Sequence, residues 1–132
     1  MQYRSYFHLF SGMAMLELGN LASALAPFNV SAVSVGLGAN SQESGLVVTL
    51  ELFFAAISSL YFGASQYKGR NLGLIGSLIV MICYYLCSVA SDVSQITIIK
   101  AFSGLGCGML IASGHSILAS SQDPNRTCLL YT

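Results

Sequence analysis

A chain of 132 residues with 55% hydrophobic residues, 8% charged residues and zero formal net charge lies far from soluble domains, in which about one-quarter of residues are charged. Its mean hydropathy is +0.71. Without clustered Lys and Arg it has no electrostatic footprint for nucleic acid, and no charge run or proline-rich linker divides it, so residues 1–132 read as one domain.

Four apolar stretches follow in chain order: Phe7 to Gly36, Ser44 to Ala64, Asn71 to Ala90 and Ile96 to Ser120. Each reaches the roughly 20 residues that a helix needs to cross about 30 Å of hydrocarbon. None carries the broad charged face of a soluble helix of that length. The predicted fold is all-α, a polytopic membrane bundle of four transmembrane helices with the lipid bilayer as its partner.

In the first stretch Glu17, Asn20, Ala24, Phe28 and Ser31 share one helical face, and Pro27 interrupts the backbone hydrogen bonding. A carboxyl near a helix centre costs about 2.5–3.5 kcal/mol on insertion scales, while each Leu or Ile returns about 0.3–0.6 kcal/mol. Glu17 therefore needs a use, and a protonatable carboxyl on a transport path is one. Arg4 and the Ala24-Leu25-Ala26 sequence resemble a secretory signal, but Glu17 and Asn20 break its apolar core, which favours an uncleaved helix.

The second stretch aligns Glu51, Ala55 and Ser58 on one face. The third carries no charge, presents Tyr84 and Tyr85, and reads as a supporting helix. The fourth contains "KAFSGLGCGMLIASGHSILA". A phosphate loop needs a strand before it and polar surroundings, which are missing here. On a helical projection Lys100, Ser103, Gly104, Cys107, Gly108, Gly114 and His115 fall within roughly 80° of one meridian. Gly106, Ser113 and Ser116 fall on the other side. Small residues four apart let a neighbouring backbone approach, so Gly104, Gly106 and Gly108 are candidate packing positions. Lys100 and His115 on the slim face point to a lined pathway, because ionisable groups in membranes face one another or water. Placing Glu51 and Lys100 at similar depths predicts an ion pair between the second and fourth helices.

With the N-terminus cytoplasmic, Arg4, Lys68, Arg70 and Arg126 all fall on the inner side, and the breaks around Glu43 and Asp92 hold no basic residue. A plasma or inner membrane location is expected. Cys83, Cys87, Cys107 and Cys128 lack metal-site spacing, and three of them sit within helices as small apolar fillers. No metal, cofactor or catalytic residue set is expected. The sequons at Asn29 and Asn125 would lie in the membrane and on the cytoplasmic side, where they carry no sugar.

These residues resemble the N-terminal part of a major facilitator superfamily transporter. "FGASQYKGRN" offers Gly63, Lys68, Gly69 and Arg70 where that family has its loop between helices two and three. Gln66 stands in place of the aspartate, and Asn71 in place of the last basic residue. "KAFSGLGCG" matches a basic residue followed by alternating glycines, with Lys100 where arginine is usual, and "DPNR" resembles the turn into helix five. The resemblance implies a transporter of twelve helices in two halves, each built from two inverted three-helix repeats. The chain then corresponds to about four of the twelve, as a truncated product or partial gene model.

The expected function is a secondary transporter, or an N-terminal fragment of one, moving a small solute by alternating access, with protons as a candidate coupling ion. Glu17, Asn20, Glu51, Lys100, Ser103, Cys107 and His115 are the candidate pathway residues. Gly63, Lys68, Gly69 and Arg70 form the candidate gating loop. The remaining helices of the same transporter, or a dimer partner, complete the bundle. The alternatives are a small four-helix multidrug exporter acting as a dimer and a non-transporting membrane assembly protein.

Overall fold

The computed structural model describes residues 2–65 and 69–120, the side chains of residues 2–6 and 69 excepted. Lys68, Gln66, the "DPNR" turn with Arg126, and Cys128 lie outside the described residues. The described residues form five helices in chain order: α1 (Gln2–Ala24), α2 (Ala26–Leu37), α3 (Ser41–Ala64), α4 (Gly69–Val89) and α5 (Val93–Ala119). No strand occurs among them. Helices α3, α4 and α5 are long and apolar enough to cross a membrane, and α1 with α2 makes a fourth span if the bent pair counts as one. The chain is an all-α, multi-pass membrane bundle.

The first apolar stretch, expected from about Phe7 to Gly36 with an interruption at Pro27, forms two helices set at 47°. Pro27 sits in the first turn of α2, where its missing N–H is tolerated; further into a continuous helix its ring would clash with a carbonyl four residues back. The backbone reconnects across the bend through the Leu25 N–H to the Leu21 carbonyl and the Asn29 N–H to the Leu25 carbonyl, both 2.9 Å. Gly38, at φ 64°, takes the left-handed conformation that ends α2.

Two residues later α3 opens on a reciprocal cap. The Glu43 N–H donates to Asn40 Oδ1 at 2.8 Å, and the Asn40 N–H donates to Glu43 Oε2 at 3.0 Å. Asn40→Ala is expected to cost about 1 kcal/mol. The thermal midpoint in detergent, read by maleimide-dye capture of the buried thiols Cys83 and Cys107, measures it.

α5 is the centre of the bundle. It packs against α1, α3 and α4, while α2 packs on α3. More than half of its apolar window is buried, against roughly a quarter for α3 and α4. Three helices reach it because its glycines point three ways. A Cβ on Gly104 or Gly108 would collide with the backbone carbonyl oxygens of Glu51 and Ala55 on α3. One on Gly106 would lie 2.9 Å from the Gly76 carbonyl oxygen on α4, and one on Gly114 2.9 Å from that of Gly12 on α1. Close backbone approach of this kind is how helices gain dispersion contacts where lipid offers no hydrophobic drive.

The outer surface is apolar. Leu74, Ile75, Leu78, Met81 and Ile82 of α4, with Ile98 and Phe102 of α5, are exposed, as a face against hydrocarbon should be. Several hydroxyls within the spans are satisfied locally: Ser59, Ser77 and Ser88 donate to the carbonyls of Ala56, Leu74 and Tyr85. Ser58 instead crosses between helices, donating to the Leu105 carbonyl at 2.8 Å.

Candidate functional site

The third turn of α3 and the second turn of α5 face each other across the glycine contact. Because Gly104 admits the α3 backbone at Glu51, the Glu51 side chain lies along α5 toward Lys100. Lys100 Nζ is 3.2 Å from Glu51 Oε2 and 3.3 Å from Oε1. The Ser103 hydroxyl, one turn along, donates to Oε1 at 3.1 Å. Glu51 is fully buried and Lys100 is 4% exposed. The carboxylate thus accepts three hydrogen bonds from two groups, and the ammonium has one carboxylate. Mutual pairing with the remaining lone pairs hydrogen-bonded is the arrangement that makes a desolvated pair bearable.

The ammonium is also held from the other side. Its Nζ lies 4.4 Å from the centroid of the Tyr84 ring on α4, within range for a cation over an aromatic face. This corrects the reading of α4 as a mere support. The signal was the spacing of Gly73, Gly76, Val80, Tyr84 and Cys87, a stripe at helical period that runs along the α5 contact. Charge alone does not reveal it, because every member is neutral. Cys107, 1% exposed, sits one turn below Ser103 in an apolar cluster with Ala22 and Ala55.

Lys–Glu distances of 3.2 and 3.3 Å exceed the roughly 2.7–2.9 Å of tight charge-assisted bonds. Two clefts lie between the bent α1–α2 pair and α4, and one of them reaches Lys100. One, about 280 Å³, is apolar and lined by residues including Leu18, Leu21, Val80, Tyr84 and Leu110. The other, about 330 Å³, is lined by Asn29, Val33, Gly36, Tyr84, Cys87, Ile96 and Lys100, among others. Tyr84 forms part of both walls.

The other candidate pathway residues are not brought to this cluster. Glu17 and Asn20 are exposed, and so are Ala24, Phe28 and Ser31, so the expected shared face of the first span exists but points out of the bundle. His115 is exposed near the end of α5. The slim face of α5 packs against neighbouring backbones at Gly104, Gly108 and Gly114, while Lys100 on the same face lines a cleft. Gly106 and Ser113, expected on the opposite side, are buried as well, Gly106 against α4 and Ser113 donating to Met15 Sδ at 3.2 Å. Gly63 lies in the last turn of α3 with open space where a Cβ would stand, so no packing demand selects glycine there. Gly69 opens α4, and Arg70 follows it, exposed.

The chain is 30% identical over 111 residues to the multidrug resistance protein MdtG of Salmonella arizonae, a match covering 82% of the chain and 27% of that relative. The chain thus spans about a quarter of the length of the curated relative it matches. No family model matches it. No solved structure matches it.

Proposed function

We propose that the chain is an N-terminal portion of a multi-pass secondary transporter of the major facilitator type, moving small drug-like solutes by alternating access. The buried Glu51–Lys100 pair carries this reading. Two opposite charges lie inside two helices that are each apolar enough to span a bilayer, and ionisable groups at that depth are expensive and usually mark a solute or ion path. The likeness to a multidrug resistance protein over most of the chain, and the order of the Gly63–Arg70 loop and the Lys100–Gly108 run, support it.

In this proposal α1–α2 and α5 occupy equivalent places in successive three-helix repeats. The exposed stripe of Glu17, Asn20 and Ser31 faces what completes the bundle, either the remaining helices of a longer polypeptide or a second copy. The N-terminus is cytoplasmic in a plasma or inner membrane, as the Lys and Arg distribution suggests. Glu17 serves as the proton carrier.

The test is flux into proteoliposomes reconstituted with the product of the complete coding sequence, using cationic, neutral and anionic drug-like solutes under an imposed pH gradient. Gradient-driven uptake that Glu17→Gln abolishes, with solute exchange at equal pH retained, is the expected result. Unchanged gradient-driven uptake in that variant removes Glu17 from the coupling, and no flux for any solute overturns the transporter reading. Oxidative cross-linking of Glu17→Cys into a discrete dimer, with no coding sequence beyond Thr132, favours the small dimeric exporter instead.

A further inference from the structure

The 330 Å³ cleft between α2 and α4 has a polar end that the ion pair does not account for. Asn29, on α2 just past the bend, contributes to its lining, and the Asn29 Nδ2 amide is buried with no hydrogen-bond partner among the described residues. A buried donor left unmade costs about 1–3 kcal/mol, a cost recovered if the Asn29 amide turns toward the cleft and meets an acceptor there. Lys100 lines the same cleft, whereas Glu51 does not. A group entering there meets the Lys100 side chain and not Glu51. Tyr84 adds an aromatic wall, and Val33, Gly36 and Ile96 make the rest apolar. The volume falls within the roughly 300–1,000 Å³ of small-molecule sites, which pair mostly apolar walls with a few directed polar groups.

We propose that this cleft binds an amphipathic solute through a carbonyl or carboxylate oxygen, which accepts from the Asn29 amide and lies beside the Lys100 ammonium, while its apolar body rests against Tyr84 and Val33. The cleft discriminates against organic cations, whose charge Lys100 repels. The proposal deepens the transporter reading and rests on it for the role of the site as a solute-binding station. Occupancy also has a consequence for the pair: an acceptor beside Lys100 competes with Glu51 for the ammonium donors.

Cys87 lines the same cleft and is half-buried, which provides a readout independent of transport. The full chain in lipid nanodiscs is treated with N-ethylmaleimide in the presence of 2-naphthoate, 2-naphthamide or naphthylmethylammonium, and alkylation of Cys87 is followed by peptide mass spectrometry. Naphthoate and naphthamide are expected to slow Cys87 labelling several-fold, and the ammonium probe to leave it unchanged. Asn29→Leu is expected to raise the half-protecting naphthamide concentration by about five- to tenfold, the loss of one hydrogen bond to a buried donor. Asn29→Ser, which keeps a polar group but shortens it, provides the same comparison with less bulk. Equal protection by all three probes, or unaltered naphthamide protection in both Asn29 variants, overturns the proposal. Protection without solute flux in the proteoliposome assay retains the site and rejects the transporter reading. Flux without protection does the reverse.

Discussion

Lys100→Met is expected to destabilise the protein by about 3–5 kcal/mol, the usual cost of removing one partner from a buried pair. It leaves the Glu51 carboxylate fully buried with the Ser103 hydroxyl as its remaining side-chain donor. Glu51→Gln strands the ammonium beside Tyr84 and is expected to fall in the same range. The double variant Glu51→Gln/Lys100→Met removes both charges, and replacing a buried pair by neutral groups is often close to neutral. It is expected to recover most of either single loss. Thermal unfolding in detergent, read by dye capture of Cys83 and Cys107, ranks the four proteins. Additive losses in the double variant would show that the two side chains act independently.

A comparable loss is expected at Gly104. Gly104→Val places a branched side chain where the backbone carbonyl of Glu51 already lies. Backbone cannot rotate aside as a flexible side chain can, so α3 and α5 must separate. Over-packing of this kind costs about 1–3 kcal/mol and occasionally more, and here it also pulls Glu51 away from Lys100. Gly45→Ala is the matched control: a Cβ there meets nothing within 4 Å. Alanine in a helix interior is favoured over glycine by about 0.5–1 kcal/mol, so the control should be neutral to mildly stabilising. Equal losses at Gly104 and Gly45 would reject the close-packing role of the α5 glycines.

These two predictions rest on features that differ in how far the sequence reveals them. The Glu51–Lys100 contact is legible because two costly charges sit at matching depths from the ends of their helices, and few other partners exist at that level. The direction of a face is not legible in the same way. A helical projection states that Glu17, Asn20 and Ser31 lie together, and they do, but it is silent on whether that face meets a neighbour or the surroundings. The same gap applies to His115, which shares a meridian with Lys100 yet is exposed, although its neighbour Gly114 packs on α1. A single slim face puts Gly106 on the far side of α5, whereas a central helix with three neighbours needs small residues on three sides. Tyr84 escaped because an uncharged ring has no insertion cost to flag it. Pro27 announced an interruption, but the 47° angle depends on how α2 packs against α3, a tertiary matter.

Glu51 and Lys100 form a buried ion pair joining two helices apolar enough to span a membrane. Solid-state NMR in lipid measures it directly. With Lys68→Arg leaving Lys100 as the lone lysine, ¹⁵N-labelled Lys and side-chain ¹³C-labelled Glu give the Nζ–Cδ dipolar distance. A separation within about 4 Å is the predicted result, and one beyond about 6 Å, outside the range of close charge pairing, contradicts it.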